Sequence, residues 1–312
     1  MSSAFRITQR TVSSTMLGGL QTNLGKMQKI QEQLSTGRQV NRPSDSPVKT
    51  VEALQFRSNM KRAEQYVSNA EDGLARLGTA DAALTDGLDM AGRARVLVLQ
   101  GLDDANNTEG RAALAAEIKA LRDGLVGVAN TRYLDRPLFA GNKLTPDAFD
   151  RTTGQYVGET RLPGDPAAVG QVLRSVGPGT DVQVNVLGSS VFGDNGSDDQ
   201  LFAVLDEIAA ALVDADPAAR HATLDGGLVK LDRAVDRVVS ALGEIGARAN
   251  RLATVKGTAE ADLDNLTNSL SEVESADLPK TIVELQMQEV AYKAALGATA
   301  RVIQPSLLDF LR

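Results

Sequence analysis

Apolar residues recur with heptad spacing over the C-terminal part of the chain. From Leu224 to Val273 they follow alternating steps of four and three, and Lys256 is the one polar residue among these positions. Such a seam predicts one uninterrupted helix on the order of 75 Å long, at a rise of about 1.5 Å per residue. Because the seam is narrow, this helix must pack against other helices of similar length.

The same spacing predicts three earlier helices. The first carries its seam to Leu34 and ends at Gly37, which can supply the left-handed conformation that closes a helix. The second runs from Val48 to about Gly101, and the third begins near Thr108. The short link between the second and third helices predicts antiparallel neighbours.

A polar connector with two prolines separates the first two helices. Proline lacks an N–H and biases the preceding residue towards extended backbone. We therefore expect a stiff, extended spacer that cannot continue either helix. Its key positions are Arg42, Pro43, Ser44, Asp45 and Pro47.

Helical periodicity disappears for about sixty residues after Arg136. Residues 180–187 alternate valine with polar residues, which predicts a half-buried strand. Residues 171–176 are its expected hairpin partner, and residues 155–158 are a candidate third strand. Beyond them, residues 197–200 resemble a capping box that opens a short helix. That helix turns Leu201, Leu205, Ile208 and Leu212 inward, and Asp216-Pro217 then starts the long helix.

The last predicted helix, from Leu278 onward, carries two apolar stripes. Pairing the terminal helices can cover only one stripe, so we expect the other to bind neighbouring copies. We also expect residues 1–34 and 279–305 to be mobile in the monomer and ordered in the assembly. The predicted assembly interface comprises Leu17, Leu20, Leu24, Met27 and Leu34 with one stripe of Leu278, Ile282, Leu285, Tyr292, Leu296 and Ile303 and a second that includes Val283, Met287 and Val290.

Composition agrees with this arrangement. Aromatic residues make up 4% of the chain and tryptophan is absent, which argues against a large globular core. The predicted fold class is mainly α with a small β insert: a long antiparallel helical bundle or coiled coil built from both chain ends, with an inserted β-rich domain. Residues 1–46 and 275–312 would form the terminal coiled-coil domain, 47–137 and 198–274 a helical rod, and 138–197 the β-rich outer domain.

Charge and reactive residues exclude several function classes. The net charge of −7 disfavours nucleic acid, and the absence of cysteine removes disulfides and thiolate metal sites. The chain has neither an apolar run of secretory-signal length nor one that could span a membrane. His221 is expected to be a solvent-facing helix residue, and Asp194, Asp198 and Asp199 to cap a helix rather than bind calcium. We predict no catalytic residue, cofactor or metal.

Several motifs resemble the flagellin-like axial proteins of bacterial flagella. The terminal ones are Arg6-Ile7-Thr8-Gln9, the connector with its flanks at 34–47, and Gln304 to Leu311. Internal motifs are Ala129-Asn130-Thr131, Leu138-Phe139-Ala140-Gly141, Tyr156-Val157-Gly158-Glu159 and Val184-Asn185-Val186-Leu187-Gly188. The chain departs from the family pattern at Ser46 and at Arg136-Pro137, which affects loop geometry rather than the heptads.

The resemblance implies a structural protein that is exported unfolded through the flagellar secretion apparatus with a dedicated chaperone. It further implies a homo-oligomeric ring at the distal end of the hook, between hook-associated protein 1 and flagellin, outside the cell. One alternative is the filament subunit, flagellin, itself. An enzyme in the β insert acting on cell-surface glycans, or a type III secretion tip or translocator protein, are alternatives from other classes.

Overall fold

The structure, a computed structural model, describes residues 9–103, 106–159 and 170–303, with side chains from residue 14 to residue 300 of those ranges. Within them the chain is mainly α-helical, as predicted, with two small antiparallel β-hairpins. The helices are α1 (Gln9–Thr36), α2 (Pro47–Gly101), α3 (Thr108–Ala129), α4 (Gly188–Phe192), α5 (Leu201–Leu212), α6 (Pro217–Glu274) and α7 (Leu278–Ile303), and the strands are β1 (Arg132–Tyr133), β2 (Arg136–Pro137), β3 (Leu173–Gly177) and β4 (Thr180–Gln183).

The described residues divide into two compact units. The first combines the chain up to Arg62 with the chain from Leu263 onward, and the second spans Ala63–Asp262. Helices α2 and α6 contribute residues to both units. Most of the predicted helical rod lies with the predicted β-rich domain in the second unit, whereas residues 47–62 and 263–274 of the rod lie in the first. The predicted three-domain division stays a prediction.

Helices α2 and α6 pack antiparallel in the second unit. Glu71 pairs with Lys256 at 2.8 Å, and Arg95 pairs with Asp232 at 2.8 Å. Residue numbers therefore rise along α2 as they fall along α6. The heptad prediction for α6 is confirmed between Leu224 and Ala259, because every second seam residue there is buried. These residues are Leu224, Leu231, Val238, Ile245, Leu252 and Ala259.

Helices α2 and α3 are also antiparallel neighbours, as their short link predicts. Arg93 of α2 pairs with Glu117 of α3 at 2.8 Å, and Gly87 of α2 faces Val128 of α3. Helix α3 begins where the side chain of Asn107 accepts a hydrogen bond from the backbone N–H of Gly110. Helix α5 completes this bundle between α3 and α6.

An aromatic cluster fills the region between the bundle and the hairpins. Four of the seven phenylalanines meet there with one tyrosine, and their ring centroids lie 5.1–5.7 Å apart in mostly edge-to-face pairs. The cluster consists of Phe139, Phe149, Tyr156, Phe192 and Phe202. Low aromatic content therefore understates the core of this unit, because the few rings are concentrated in one place.

The predicted β3–β4 hairpin is confirmed, but two details of the insert are wrong. Strand β4 ends at Gln183, and Asn185 beyond it is buried because its amide binds the carbonyl of Gly170 and the N–H of Val172. Residues 155–158 form no strand. Tyr156 makes one isolated bridge to Phe149, and its phenol turns into the aromatic cluster.

The predicted capping box before α5 is also wrong. Gln200 is the N-cap, and its side-chain oxygen accepts a hydrogen bond from the backbone N–H of Ala203 at 2.9 Å. Asp199 is engaged elsewhere, with Ser197 and Arg237. The inward side chains of α5 are buried as predicted.

Candidate assembly interface

The terminal helices α1 and α7 form an antiparallel pair in the first unit. Gly37 lies beside Ala276 at one end, and Asn23 lies beside Gln288 further along. The least exposed positions on both helices follow heptad steps, which defines the seam between them. The seam comprises Met16, Leu20, Asn23, Met27, Ile30 and Leu34 on α1, and Thr281, Leu285, Gln288, Tyr292, Ala295 and Thr299 on α7.

This seam is offset from the predicted one. Leu20, Met27, Leu34, Leu285 and Tyr292 occupy it, as predicted. Leu17, Leu24, Leu278, Ile282 and Leu296 lie beside it, between 38% and 55% exposed. At three of these places a large apolar residue stands next to a polar or smaller one that holds the seam position: Leu24 beside Asn23, Ile282 beside Thr281, and Leu296 beside Ala295. The side chain of Ile303 lies outside the described residues.

Asn23 and Gln288 form a polar layer within the seam. The Gln288 amide Nε2 donates to the Asn23 carbonyl at 3.2 Å and lies 3.3 Å from Asn23 Oδ1. A polar pair in a helix seam weakens packing but penalises slippage, because a shift of one heptad separates the two amides and places Gln288 against Met16 or Ile30. This layer therefore fixes how α1 and α7 align.

The second stripe of α7 is exposed. Val283, Met287 and Val290 are 53%, 61% and 67% exposed, and at 100° per residue they lie on the side of α7 opposite the seam. An apolar face of this kind costs free energy in water unless another surface covers it. Its assembly role remains a prediction, since the structure contains one chain.

The connector is a tight turn rather than the extended spacer predicted. The N–H of Asp45 donates to the Arg42 carbonyl at 2.9 Å, which closes a β-turn with Pro43 at its second position. Proline suits that position because its fixed φ matches the turn. The two prolines do end the flanking helices, and Pro47 begins α2.

Asp45 organises this turn through its carboxylate. Oδ2 accepts the N–H groups of Asn41 and Arg42 at 3.3 and 2.9 Å, and Oδ1 lies 3.0 Å from Lys29 Nζ. The hydrogen bond from Lys29 and the backbone bond from Arg42 lower the pKa of Asp45 below its ordinary value. Asp45 therefore ties the connector to α1.

A second set of contacts ties the connector to the end of α6. The N–H of Gln39 donates to the Glu274 carbonyl at 2.7 Å, and the N–H of Ala276 donates to the Gly37 carbonyl at 2.9 Å. Gly37 has φ of 67°, as its predicted role requires. The buried Glu274 carboxylate forms an ion pair with Arg57, at 2.6 Å between Oε1 and Nη2. We call these contacts the clasp.

Other residues considered from sequence have structural partners. Asp199 pairs with Arg237, and Lys256 pairs with Glu71 across α2 and α6. His221 is half-buried, so it is less exposed than predicted. Among described residues, no group of three or more His, Asp or Glu side chains is arranged to hold a metal ion. No helix in the described ranges is both long and apolar enough for a bilayer crossing.

Comparison with known proteins finds relatives among bacterial flagellins and flagellar hook-associated proteins. Residues 7–143 match the family model of the bacterial flagellin N-terminal helical region. Flagellar hook-associated protein 3 of Escherichia coli (strain K12) is 25% identical, with 90% of this chain and 91% of that protein covered. Flagellin of Bacillus subtilis (strain 168) is 26% identical over 98% of this chain and all of that protein.

The fold has the same relatives. A crystal structure of flagellar hook-associated protein 3 from Legionella pneumophila superimposes with a TM-score of 0.60 at 17% identity, covering 70% of this chain and 98% of that one. The resemblance to flagellin-like axial proteins, and within them to hook-associated protein 3, is confirmed. The motifs Arg6-Ile7-Thr8 and Gln304 to Leu311 lie outside the described residues.

Proposed function

We propose that this chain, similar to hook-associated protein 3 over nearly its whole length, is the structural junction between the hook and the flagellin filament of a bacterial flagellum. Its subunits form a ring outside the cell, bound by hook-associated protein 1 on one side and flagellin on the other. A dedicated chaperone escorts the chain to the flagellar exporter. The protein catalyses no reaction.

The exposed stripe opposite the α1–α7 seam is the observation that supports assembly. Each terminal pair has one apolar face turned inward and another turned to water. Covering a side chain such as Met287 or Val290 stabilises an assembly by roughly 1.5–3 kcal/mol per fully buried residue. Neighbouring subunits present equivalent helices, so the same contact can cover the stripe of every subunit around a ring.

The assembly role is tested with Met287→Glu. A charge in the centre of the stripe should leave the monomer folded, because Met287 faces water there, and should abolish polymerisation. Ala300→Glu is the matched control, since it adds the same charge at an exposed position of α7 on a different face from the stripe. Sedimentation and circular dichroism measure both outcomes. Normal polymerisation of the Met287→Glu variant would show that the stripe is not part of the assembly interface.

Flagellin is the second candidate, because the Bacillus subtilis flagellin matches along its full length. Deleting the gene in the source bacterium separates the two. A missing junction protein should leave hooks that shed flagellin monomers into the medium, whereas a missing filament subunit leaves none to shed. Immunoblots of the culture medium and electron microscopy of hooks give the result.

A further inference from the structure

A basic cleft lies in the second unit, apart from the terminal helices. It has a volume of about 750 Å³ between the β1–β2 hairpin, residues 141–146, strand β3 and one turn of α2. Five cationic side chains and two carboxylates line it, in a chain whose net charge is −7. The cations are Arg76, Arg132, Arg136, Lys143 and Arg174.

Most of this positive charge has no carboxylate partner within the described residues. Arg174 pairs with Asp72 at 2.8 Å. Lys143 donates to the carbonyl of Val157, and Arg132 to that of Asp135, so neither charge is neutralised. The side chain of Arg136 is exposed and has no hydrogen-bond or ion-pair partner in the described ranges. The cleft therefore keeps an excess of positive charge at its rim.

Arg76 places an additional charge at the floor of the cleft. It is 6% exposed, its Nε has no hydrogen-bond partner among described residues, and its Nη2 makes only a long hydrogen bond, 3.5 Å, to the Leu138 carbonyl. Burial lowers the pKa of this guanidinium and the positive charge of Arg174 lowers it further, whereas Asp72, which already pairs with Arg174, raises it and offsets part of this effect. A buried cation this poorly compensated is costly, and an anion in the cleft would reduce that cost.

Two exposed leucines flank the charges. Leu134 and Leu144 are 76% and 81% exposed, and both line the cleft. Leu134 is held at a φ of 47°, where residues other than glycine are strained. A strained turn that presents an apolar side chain to water is more typical of a binding site than of a loop selected for stability. The rim can therefore contact apolar as well as acidic groups.

We propose that this cleft binds an acidic peptide segment, with leucine-like side chains among its carboxylates, on the surface of an adjacent flagellar subunit. The carboxylates meet Arg136, Arg132 and Arg76, and the apolar side chains pack on Leu134 and Leu144. Charge complementarity supports a peptide from another subunit, because copies of this chain are themselves acidic. Only the source of the segment rests on the proposed function.

The test uses the full chain and a fluorescein-labelled peptide of sequence Asp-Leu-Glu-Asp-Leu-Glu, with fluorescence anisotropy at low and at physiological salt. We expect saturable binding that weakens as salt is added. Arg136→Glu should weaken binding about tenfold, because it replaces attraction with repulsion. Lys119→Glu is the matched control: it makes the same charge reversal at an exposed position on α3, outside the cleft, and should bind as the unaltered chain does.

Circular dichroism should show that both variants fold like the unaltered chain. The amide peptide Asn-Leu-Gln-Asn-Leu-Gln should not bind. Absent binding of the acidic peptide, or equal binding by Arg136→Glu, would overturn the proposal. So would preferential, Arg136-dependent binding of heparin, which would assign the cleft to an anionic glycan. All three results would leave the junction role intact, because that role is tested by gene deletion.

Discussion

Asp45 shows how one carboxylate can determine the shape of a segment. It satisfies two backbone N–H groups of the connector and pairs with Lys29 of α1. The sequence revealed a helix break here because proline is unambiguous. It could not reveal the turn, since that depends on where Asp45 and Lys29 meet in space.

The lowered pKa of Asp45 predicts a pH dependence. The contribution of its carboxylate is complete above about pH 4 and is lost as the pH falls through the lowered pKa of the folded state. Asp45→Asn should therefore lower the Tm most near neutral pH, with the difference from the unaltered chain shrinking in acid. Thermal melts between pH 2 and 7 measure this, with the exposed Asp89→Asn as control. A difference that stays constant into acid would contradict it.

Leu134 and Asp135 carry strain that can be removed. Both have positive φ in the two-residue turn between β1 and β2, an arrangement that favours Asn-Gly. The double change Leu134→Asn with Asp135→Gly should raise the free energy of unfolding by about 1 kcal/mol. Urea unfolding measures it, and Leu144→Asn, at ordinary backbone φ, should give no such gain. An unchanged or lower stability would argue against strain at this turn.

At the scale of elements, heptad spacing located the long helices well. Gly37, Pro47 and Pro217 end or begin helices where the sequence indicated. The α1–α7 seam was misplaced by one position at several points because Asn23, Thr281 and Gln288 hold seam positions. Apolar periodicity alone does not mark polar residues that hold seam positions. The basic cleft was missed entirely, because its cations come from segments far apart in sequence.

The Asn23–Gln288 layer should lower the stability of the α1–α7 pair while restricting it to one register. Replacing both residues with leucine should stabilise the α1–α7 pair by about 1 kcal/mol and allow other alignments. Because the chain has no cysteine, introduced pairs report alignment directly. Cysteines at Leu20 and Tyr292 should cross-link in both backgrounds, whereas cysteines at Leu20 and Leu285, one heptad away, should cross-link only in the double-leucine background. Equal cross-linking of the slipped pair in both backgrounds would show that the amides do not set the register.

At the scale of the molecule, the two units differ in how much they bury. The second unit has the aromatic cluster and fully buried seam residues, whereas most seam positions of the α1–α7 pair are only partly buried. Amide protection follows burial and local stability. In the monomer, residues 14–34 and 279–300 should therefore exchange much faster than the buried helices of the second unit.

Hydrogen exchange read by mass spectrometry measures this difference. Polymerised protein is the control, and there the terminal helices should become protected. Strong protection of both terminal helices in the monomer would mean that the pair is stable without neighbours. The sequence predicted this surplus apolar stripe by its residues, and the structure places Val283, Met287 and Val290 on the face of α7 away from α1.

Because of the clasp, pairing of α1 with α7 should not depend on protein concentration, whereas association between subunits should. With Gly37 bound to Ala276, and Gln39 to Glu274, the bases of α1 and α7 start out side by side. Pairing of the two helices is therefore a unimolecular reaction, and the clasp, not the protein concentration, sets the effective concentration of one helix near the other. Encounters between subunits remain second-order. Each subunit can therefore complete its own hairpin of helices at any concentration, before it meets the growing structure.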